Sequence, residues 1–480
     1  MVAEVKTLQS QNSEIDRMEQ LFRAQREAFA RHPYPTAEER LDQIARIKKM
    51  LLEHIDQICE AVNQDFGNRS VDETKIMEII TSLEGVKYNS RKLRQWMKPQ
   101  RRAIGAPQWP AKAWVMYQPL GVVGIITPWN YPVYLAIGPL LAALAAGNRA
   151  MIKMSEFTPA TGELMKTMFA KYFSEDQVAI VNGEADVAAA FSKLPFDHLL
   201  FTGSTNVGRH VMRAAAENLT PVTLELGGKS PTLISQHFPM DDAVSRIAFG
   251  KCFNAGQTCV ATDYVLCPEN RVDEFVTAMS NQVASMYPTI RDNKDYTSVV
   301  NERQYARLQK VLNDARDKGA RVVEINPANE DMRDSRKIPL TLVLNVTDDM
   351  LIAQEEIFGP LMPVIPYKTL SDAIHYINER PRPLALYYFD YDDKNCQYVM
   401  RHTHAGGVSL NDTISHVGVD DMGFGGVGPS GMGRYHGVEG FITFSNAKGI
   451  LRKGKVNFTK SSLPPFGRGI HNFLYKMLLK

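Results

Sequence analysis

Between Ile15 and Met97 the apolar positions recur at the three- and four-residue spacing of a helix lying on a core. The clearest stripe is Leu41, Ile44, Ile47, Leu51, Ile55, Ile58 and Val62, followed by Ile76, Ile79, Ile80 and Leu83. The spacing predicts an opening helical region whose role is to pack. From Trp114 the rhythm changes to short β-rich runs at Val122–Ile126, Ala150–Lys153, Val178–Val181, His198–Phe201 and Val222–Glu225, separated by Ala-rich or amphipathic stretches long enough for helices. Strand and helix in alternation predict a parallel sheet covered on both faces. The same rhythm returns through Asp241–Phe253, Ala261–Cys267, Thr341–Asn345, Leu361–Pro366, Leu384–Asp390 and Gly407–Leu410, which predicts a second α/β domain. Residues 331–338 read as a solvated loop, and the tail from Gly467 as an amphipathic helix with Ile470, Phe473, Leu474, Met477 and Leu478 on one side.

Composition narrows the function classes. With 480 residues, 44% hydrophobic and 22% charged, the chain is an ordinary globular protein too long for one core. A formal net charge of +2 offers nucleic acid no general attraction. The first sixteen residues lack the apolar region of a secretory signal. The longest apolar run, Val133–Ala146, is interrupted by Gly138 and Pro139 and falls short of the ~18 residues of a membrane span. Five cysteines without a CxxC pair argue against a disulfide framework or a zinc site. A reducing, cytoplasmic setting with free thiols is expected.

One of those thiols has a suggestive context. Cys259 ends the turn Phe253-Asn254-Ala255-Gly256-Gln257-Thr258, whereas Cys252 and Cys267 have no such surroundings and read as buried structural residues. A thiol needs backbone dipoles or a base to act as a nucleophile near neutrality. Glu225, closing a β-rich run before Leu226-Gly227-Gly228-Lys229, is the candidate base, with a salt bridge to Lys229 as the plainer alternative. Asn130, between Pro128 and Pro132, offers an amide to a developing oxyanion. Gly203 and Ser204 follow a β run and open a helix, where backbone N–H groups bind phosphate. Lys153 and Glu156 close another run and suit ribose hydroxyls, or an ordinary surface ion pair. No GxGxxG fingerprint is present. The glycines between Gly423 and Gly433 imply close backbone approaches or positive φ angles.

Taken together, from Gln118 to Ser445, these motifs resemble the aldehyde dehydrogenase superfamily. Leu224-Glu225-Leu226-Gly227-Gly228-Lys229 and Pro128-Trp129-Asn130-Tyr131-Pro132 are intact, and Cys252–Cys259 approximates the nucleophile motif. Glu355-Glu356-Ile357-Phe358-Gly359-Pro360 matches the cofactor motif, in which Glu356 and Phe358 would embrace the nicotinamide ribose, with Gly228 nearby. One departure is Met154, where the family usually has proline. The stretch ending at Gly437, followed by Phe444-Ser445, resembles the class 3 branch, and the whole chain is similar to bacterial coniferyl aldehyde dehydrogenases.

The resemblance implies two open α/β domains with parallel-type sheets and a small β oligomerisation arm. Residues 1–112 and 119–224 would form the N-terminal helices and dinucleotide-binding domain, 225–412 the catalytic domain, 113–118 and 430–446 the arm, and 466–480 a C-terminal helix. It implies oxidation of an aldehyde to the acid through a Cys259 thiohemiacetal and thioester, with water activated by Glu225 and no metal required. Glu156 would accept from a ribose 2′-OH and repel a 2′-phosphate, which favours NAD, while Lys153 leaves NADP open. Family position puts Tyr131, Phe424 and Phe444 near the substrate, pointing to an aromatic aldehyde such as coniferaldehyde. A medium-chain aliphatic aldehyde, a CoA-acylating enzyme and a catalytically silent homologue are the alternatives. A homodimer without nucleic-acid partners or a transmembrane segment is expected.

Overall fold

The computed structural model describes residues 2–105, 108–455 and 463–479; Met1, Ala106, Pro107 and Lys480, at or within the expected segments 1–112 and 466–480, lie outside the described residues. The opening helices form as the stripe predicts, at Ala37–Glu53 and Ile55–Phe66, with Ile44, Ile47, Leu51, Ile58 and Val62 fully buried. The second half of the stripe departs from the expectation. Lys75–Ile80 is a π-helical turn, and Ile76 and Ile80 are 46% and 52% exposed. An extra residue per turn rotates them off the buried face.

The β-rich runs of the first half assemble into one six-stranded sheet, in the order Gly431–Met432, Val222–Leu226, His198–Gly203, Val122–Ile126, Arg149–Lys153, Val178–Val181. All pairings are parallel except that of Gly431–Met432. The chain starts this sheet at Val122–Ile126, builds outward to Val178–Val181, then returns to the other side at His198–Gly203. The strand order therefore reverses between Val122–Ile126 and His198–Gly203, a topological switch point beyond whose carboxyl ends ligands bind. The loops leaving those two strands carry Asn130 and Ser204.

The helix Tyr134–Ala146 continues through Gly138 and Pro139, the residues that interrupt its apolar run, and nearly all of it is buried. A helix apolar on every side belongs in a core, and here it packs between the opening helices and the first sheet. The seven-stranded second sheet has the order Arg321–Glu324, Thr341–Leu344, Leu361–Tyr367, Tyr264–Pro268, Pro231–Ile234, Ala385–Phe389, Gly407–Leu410, parallel except at its Arg321–Glu324 edge. A third, antiparallel sheet joins Gln100–Arg102, Lys112–Pro119 and Ser445–Arg452.

Two expected boundaries shift. Glu225 belongs to the first sheet, because Val222–Leu226 pairs with His198–Gly203 along its whole length. Of segment 430–446, only Ser445 and Asn446 join the arm. Gly431 pairs with Glu225, and Gly437–Thr443 is a helix. The C-terminal helix, Gly469–Leu478, leaves Ile470, Phe473 and Met477 exposed, and no helix among the described residues is long and apolar enough to cross a membrane.

The glycine-rich segment folds back on itself and on the edge of the first sheet. A Cβ at Gly426 would stand 2.0 Å from the Ser430 carbonyl oxygen, and one at Gly431, where φ is +145°, 2.2 Å from that of Leu224. Both neighbours are backbone and cannot yield without breaking the pairing beside Glu225. Gly431→Ala is therefore expected to cost at least about 2 kcal/mol, read as a lower midpoint in denaturant at unchanged slope.

Candidate active site

Cys259 lies in the connection between the helix Met240–Cys252 and the strand Tyr264–Pro268. Asn254, Ala255 and Gly256 have φ of +50°, +49° and +71°, so the turn is left-handed over three residues, two of them not glycine. Such strain persists only where the surroundings enforce it. Gly256 has no room for a side chain, because a Cβ would lie 2.5 Å from the Gly359 carbonyl oxygen. The amide of Gln257 donates to the Asn254 and Ser298 carbonyls at 2.9 and 3.0 Å and accepts from the Val300 N–H at 3.0 Å. Asn254 donates from its side chain to the Asn130 and Gln257 carbonyls, both at 3.0 Å. The Asn and Gln beside the nucleophile are thus the struts of its turn.

Two cavities meet at Cys259. The first, about 290 Å³, is lined on one side by Asn130, Glu225 and Cys259 and on the other by Gly203, Ser204, Glu356 and Phe358. The second, about 190 Å³, is walled by Tyr131, Tyr134, Phe249, Val417 and other apolar groups. Cys259, Leu135, Phe424 and Tyr435 line both.

The site is dry. Glu225 is 3% exposed, and neither carboxylate oxygen has a hydrogen-bond partner. Burial raises its pKa well above the usual carboxylate value, with only the distant pull of Arg434 opposing. The salt bridge to Lys229 does not form. Lys229 pairs instead with Asp263 and donates to the Ile352 and Glu355 carbonyls at 2.8 Å, which anchors the segment carrying Glu356. Desolvation, then the carboxylates of Glu356 and Glu225, push the Cys259 thiol up to about 12, against the opposing backbone N–H groups of Cys259 and Val260. Burial pushes Glu356 up to about 7, opposed by the Gly228 backbone. Near neutrality the resting Cys259 therefore keeps its proton.

The first cavity carries groups that suit the pyrophosphate and nicotinamide end of a dinucleotide. Thr202 Oγ1 is buried there without a partner, and Gly203 and Ser204 lead into the twelve-residue helix Thr205–Ala216, whose first N–H groups suit a phosphate. A Cβ at Gly227 would stand 2.2 Å from the Glu356 carboxylate, so the glycine at 227 is what lets Glu356 reach the cavity. Phe358, at φ +47°, meets Trp129 edge-on at 5.2 Å. Lys153 and Glu156 stand apart from this cavity, at and beyond the end of Arg149–Lys153, and Lys153 donates to the Met154 carbonyl at 2.6 Å. Burial lowers the Lys153 pKa, and Glu156 acts in the opposite sense.

One expected pocket residue is misplaced. Phe444 is fully buried, with its ring 5.2 Å from that of His198. Its carbonyl accepts from Asn148 at 2.8 Å, so the end of the Gly437–Thr443 helix turns it into the core and away from both cavities. Sequence reasoning missed Arg69, Glu73 and Glu78, which bond to the segments carrying Asn130 and Asn254. Charges at positions 69, 73 and 78 next to a buried apolar stripe were the available signal.

Two open α/β layers with a thiol, a buried carboxyl and a phosphate-suited helix start around one cavity are the parts of a thiol-dependent oxidoreductase. The aldehyde dehydrogenase family model matches residues 3–450, and the chain belongs to that family. It is 56% identical, over the full length of both chains, to a probable coniferyl aldehyde dehydrogenase of Pseudomonas aeruginosa. The substrate-bound AldH of Staphylococcus aureus superposes with a TM-score of 0.90 at 37% identity, covering 96% of this chain and 99% of the other. A Mycobacterium tuberculosis aldehyde dehydrogenase complexed with NAD+ superposes with a TM-score of 0.81 at 31% identity, covering 89% and 88%. The chain is thus an oxidoreductase that acts on aldehydes with NAD(P).

Two measurements follow from the protonation of the site. Alkylation of Cys259 by iodoacetamide in the cofactor-free enzyme should accelerate steadily from pH 6 to about 9, without a plateau; a plateau near neutrality would contradict the raised thiol. Because folding raises the Glu225 pKa, its stabilising contribution is complete below the unfolded value of about 4.3 and is lost as pH climbs towards the folded value. The Tm advantage of Glu225→Gln over the unsubstituted enzyme should therefore widen as pH rises above about 4.3.

Proposed function

We propose that Cys259 is the nucleophile, Asn130 the oxyanion donor and Glu225 the base of an NAD-preferring oxidation of an aromatic aldehyde to its acid. The observation that carries this reading is the position of Cys259 on the shared wall of the two cavities. An aldehyde in the apolar cavity reaches the thiol from one side, and a nucleotide reaches the same atom from the other.

The residues divide the work. Cys259 first gives up its thiol proton to solvent, the thiolate Sγ attacks the aldehyde carbon, and the Asn130 amide with a backbone N–H near Cys259 holds the oxygen as it becomes negative. NAD(P), when bound, supplies the hydride acceptor that makes the reaction an oxidation. Glu225, desolvated and raised in pKa, takes a proton from water as that water attacks the acyl group on Cys259, and the acid leaves. Glu356 and Phe358 hold the nicotinamide ribose, with Gly228 beside them, while Gly203 and Ser204 face the pyrophosphate. Lys153 and Glu156 reach the adenine-side ribose, where the carboxylate of Glu156 accepts from a 2′-OH and repels a 2′-phosphate, which favours NAD.

The apolar cavity supports an aromatic substrate. Tyr131, Tyr134, Phe249 and Phe424 present ring faces and edges to it, the surfaces on which a planar cinnamyl aldehyde stacks. The 56% identical relative, named for coniferyl aldehyde, points the same way. We assign the first sheet with the opening helices to cofactor binding and the second sheet to catalysis. The antiparallel sheet of Lys112–Pro119 and Ser445–Arg452 is assigned to pairing in a homodimer.

The test is reduced-nucleotide absorbance with coniferaldehyde, benzaldehyde and hexanal, without CoA. Coniferaldehyde should give the highest kcat/KM, with NAD preferred over NADP. Cys259→Ala should abolish turnover. Glu225→Gln should retain a burst of about one equivalent and lose about 10²–10⁴-fold in steady-state rate. A preference for hexanal would discard the aromatic assignment. Turnover that appears only with CoA would discard the hydrolytic role of Glu225.

A further inference from the structure

The helical stripe from Ile44 to Val62 packs as expected, but the segment that follows it does something else. Arg69, Glu73 and Glu78 form a buried ion cluster: Arg69 Nε lies 3.8 Å from Glu73 and Arg69 Nη1 3.3 Å from Glu78, with Arg69 and Glu78 fully buried and Glu73 nearly so. Burying three ionisable side chains is costly, and apolar residues of the same volume commonly pack as well or better. Stability alone therefore does not account for them.

Their hydrogen bonds run to one place. Arg69 Nη1 donates to the Asn130 carbonyl at 2.8 Å, and the guanidinium lies over the Tyr131 ring, 4.7 Å from its centroid. Glu78 accepts from the Val133 and Tyr134 N–H groups at 2.7 and 3.1 Å. Glu73 accepts from the backbone N–H of Asn254, in the strained turn of Cys259, and from Thr297 Oγ1 at 3.1 Å. The loop closes where the Asn254 amide donates to the same Asn130 carbonyl. Tyr131 adds a second tie through its hydroxyl, 2.9 Å from Thr258 Oγ1, one residue before Cys259. In a regular α-helix, positions five apart such as Glu73 and Glu78 point well away from each other. The π-helical turn Lys75–Ile80, closing on the fifth residue, brings Glu78 round to the same guanidinium.

We propose that Arg69, Glu73 and Glu78 are positioning residues for the reaction: they lock the Asn130 loop to the Cys259 turn and so fix the oxyanion-donating amide relative to the sulfur. The proposal rests on the reading of Asn130 as oxyanion donor. None of the three lines either cavity at Cys259. They act through Asn130 and Asn254, whose backbone they hold. Misplacement of a catalytic group by about 1 Å is enough for a roughly 10²-fold loss of rate.

The test is a double-mutant cycle in the full-length enzyme. Arg69→Lys keeps the cation but loses the planar fork, and Glu73→Gln keeps a carbonyl acceptor of the same size; each is made alone and on Asn130→Ala. Each single variant is expected to lower kcat by at least about tenfold, with KM for the nucleotide changed by less than about twofold, at full occupancy of folded, titratable Cys259. On Asn130→Ala the same substitutions should add less than about twofold, because the group they position is gone. Losses of full size in the Asn130→Ala background, or unchanged kcat in both single variants, would overturn the proposal. A fall in rate that only mirrors the fraction of folded enzyme would overturn it as well. Should Arg69→Lys fail to fold, Glu73→Gln carries the cycle alone. If Asn130→Ala itself keeps its kcat, the oxyanion reading falls and takes the proposal with it; a slow Asn130→Ala with additive losses removes the proposal only.

Discussion

The backbone carbonyl of Asn130 is where the three parts of this chain are tied together. It accepts from Arg69, at the end of the opening helices, and from the side chain of Asn254, in the second α/β layer, while its own loop leaves the central strand of the first sheet. A carbonyl oxygen has two lone pairs, and here donors from two distant segments use both. Without that junction the left-handed turn Asn254–Gly256 would have lost a support, and a turn with two non-glycine residues at positive φ is costly to leave unsupported. The cysteine owes its place between two cavities to this junction more than to any property of its own.

The second governing feature is burial. Glu225 is buried on a strand edge that Gly431 covers, with no donor to either oxygen, and Glu356 is packed against Gly227 and Gly228. In water both would be ordinary carboxylates and poor bases. Buried, both hold protons more tightly, Glu356 up to about 7 and Glu225 well above the usual carboxylate value. Such groups weaken the folded state, and the backbone contacts of the glycine-rich segment are what hold the cover in place. The site's chemistry and its cost in stability thus have one origin.

Much of this was legible along the chain. The parallel strands of both layers announced themselves because strands buried on two faces are continuous apolar runs bounded by turns. Cys259, Glu225 and Asn130 stood out because each sits in a short segment dense in residues with special backbone or hydrogen-bonding demands. The glycines of 423–433 were read as close approaches, and Gly426 and Gly431 are such positions. What misled was treating periodicity as sufficient. Ile76 and Ile80 kept the spacing of a buried stripe but face outward, since a π turn changes the period by one residue and leaves no compositional mark. Phe444 had an aromatic side chain in the right neighbourhood, yet the last turn of a helix decided which way it pointed.

The sequence by itself determined the class of fold, the order of its layers, the family and the candidate nucleophile, base and amide, because those depend on local patterns that survive in one dimension. Only the tertiary structure decided that Lys229 pairs with Asp263 and leaves Glu225 alone, and that Arg69 reaches Asn130. It also decided that one sulfur faces two cavities. The physical reason is that a charge's partner and a carboxyl's hydration depend on distances between segments tens or hundreds of residues apart. No local spacing encodes those distances.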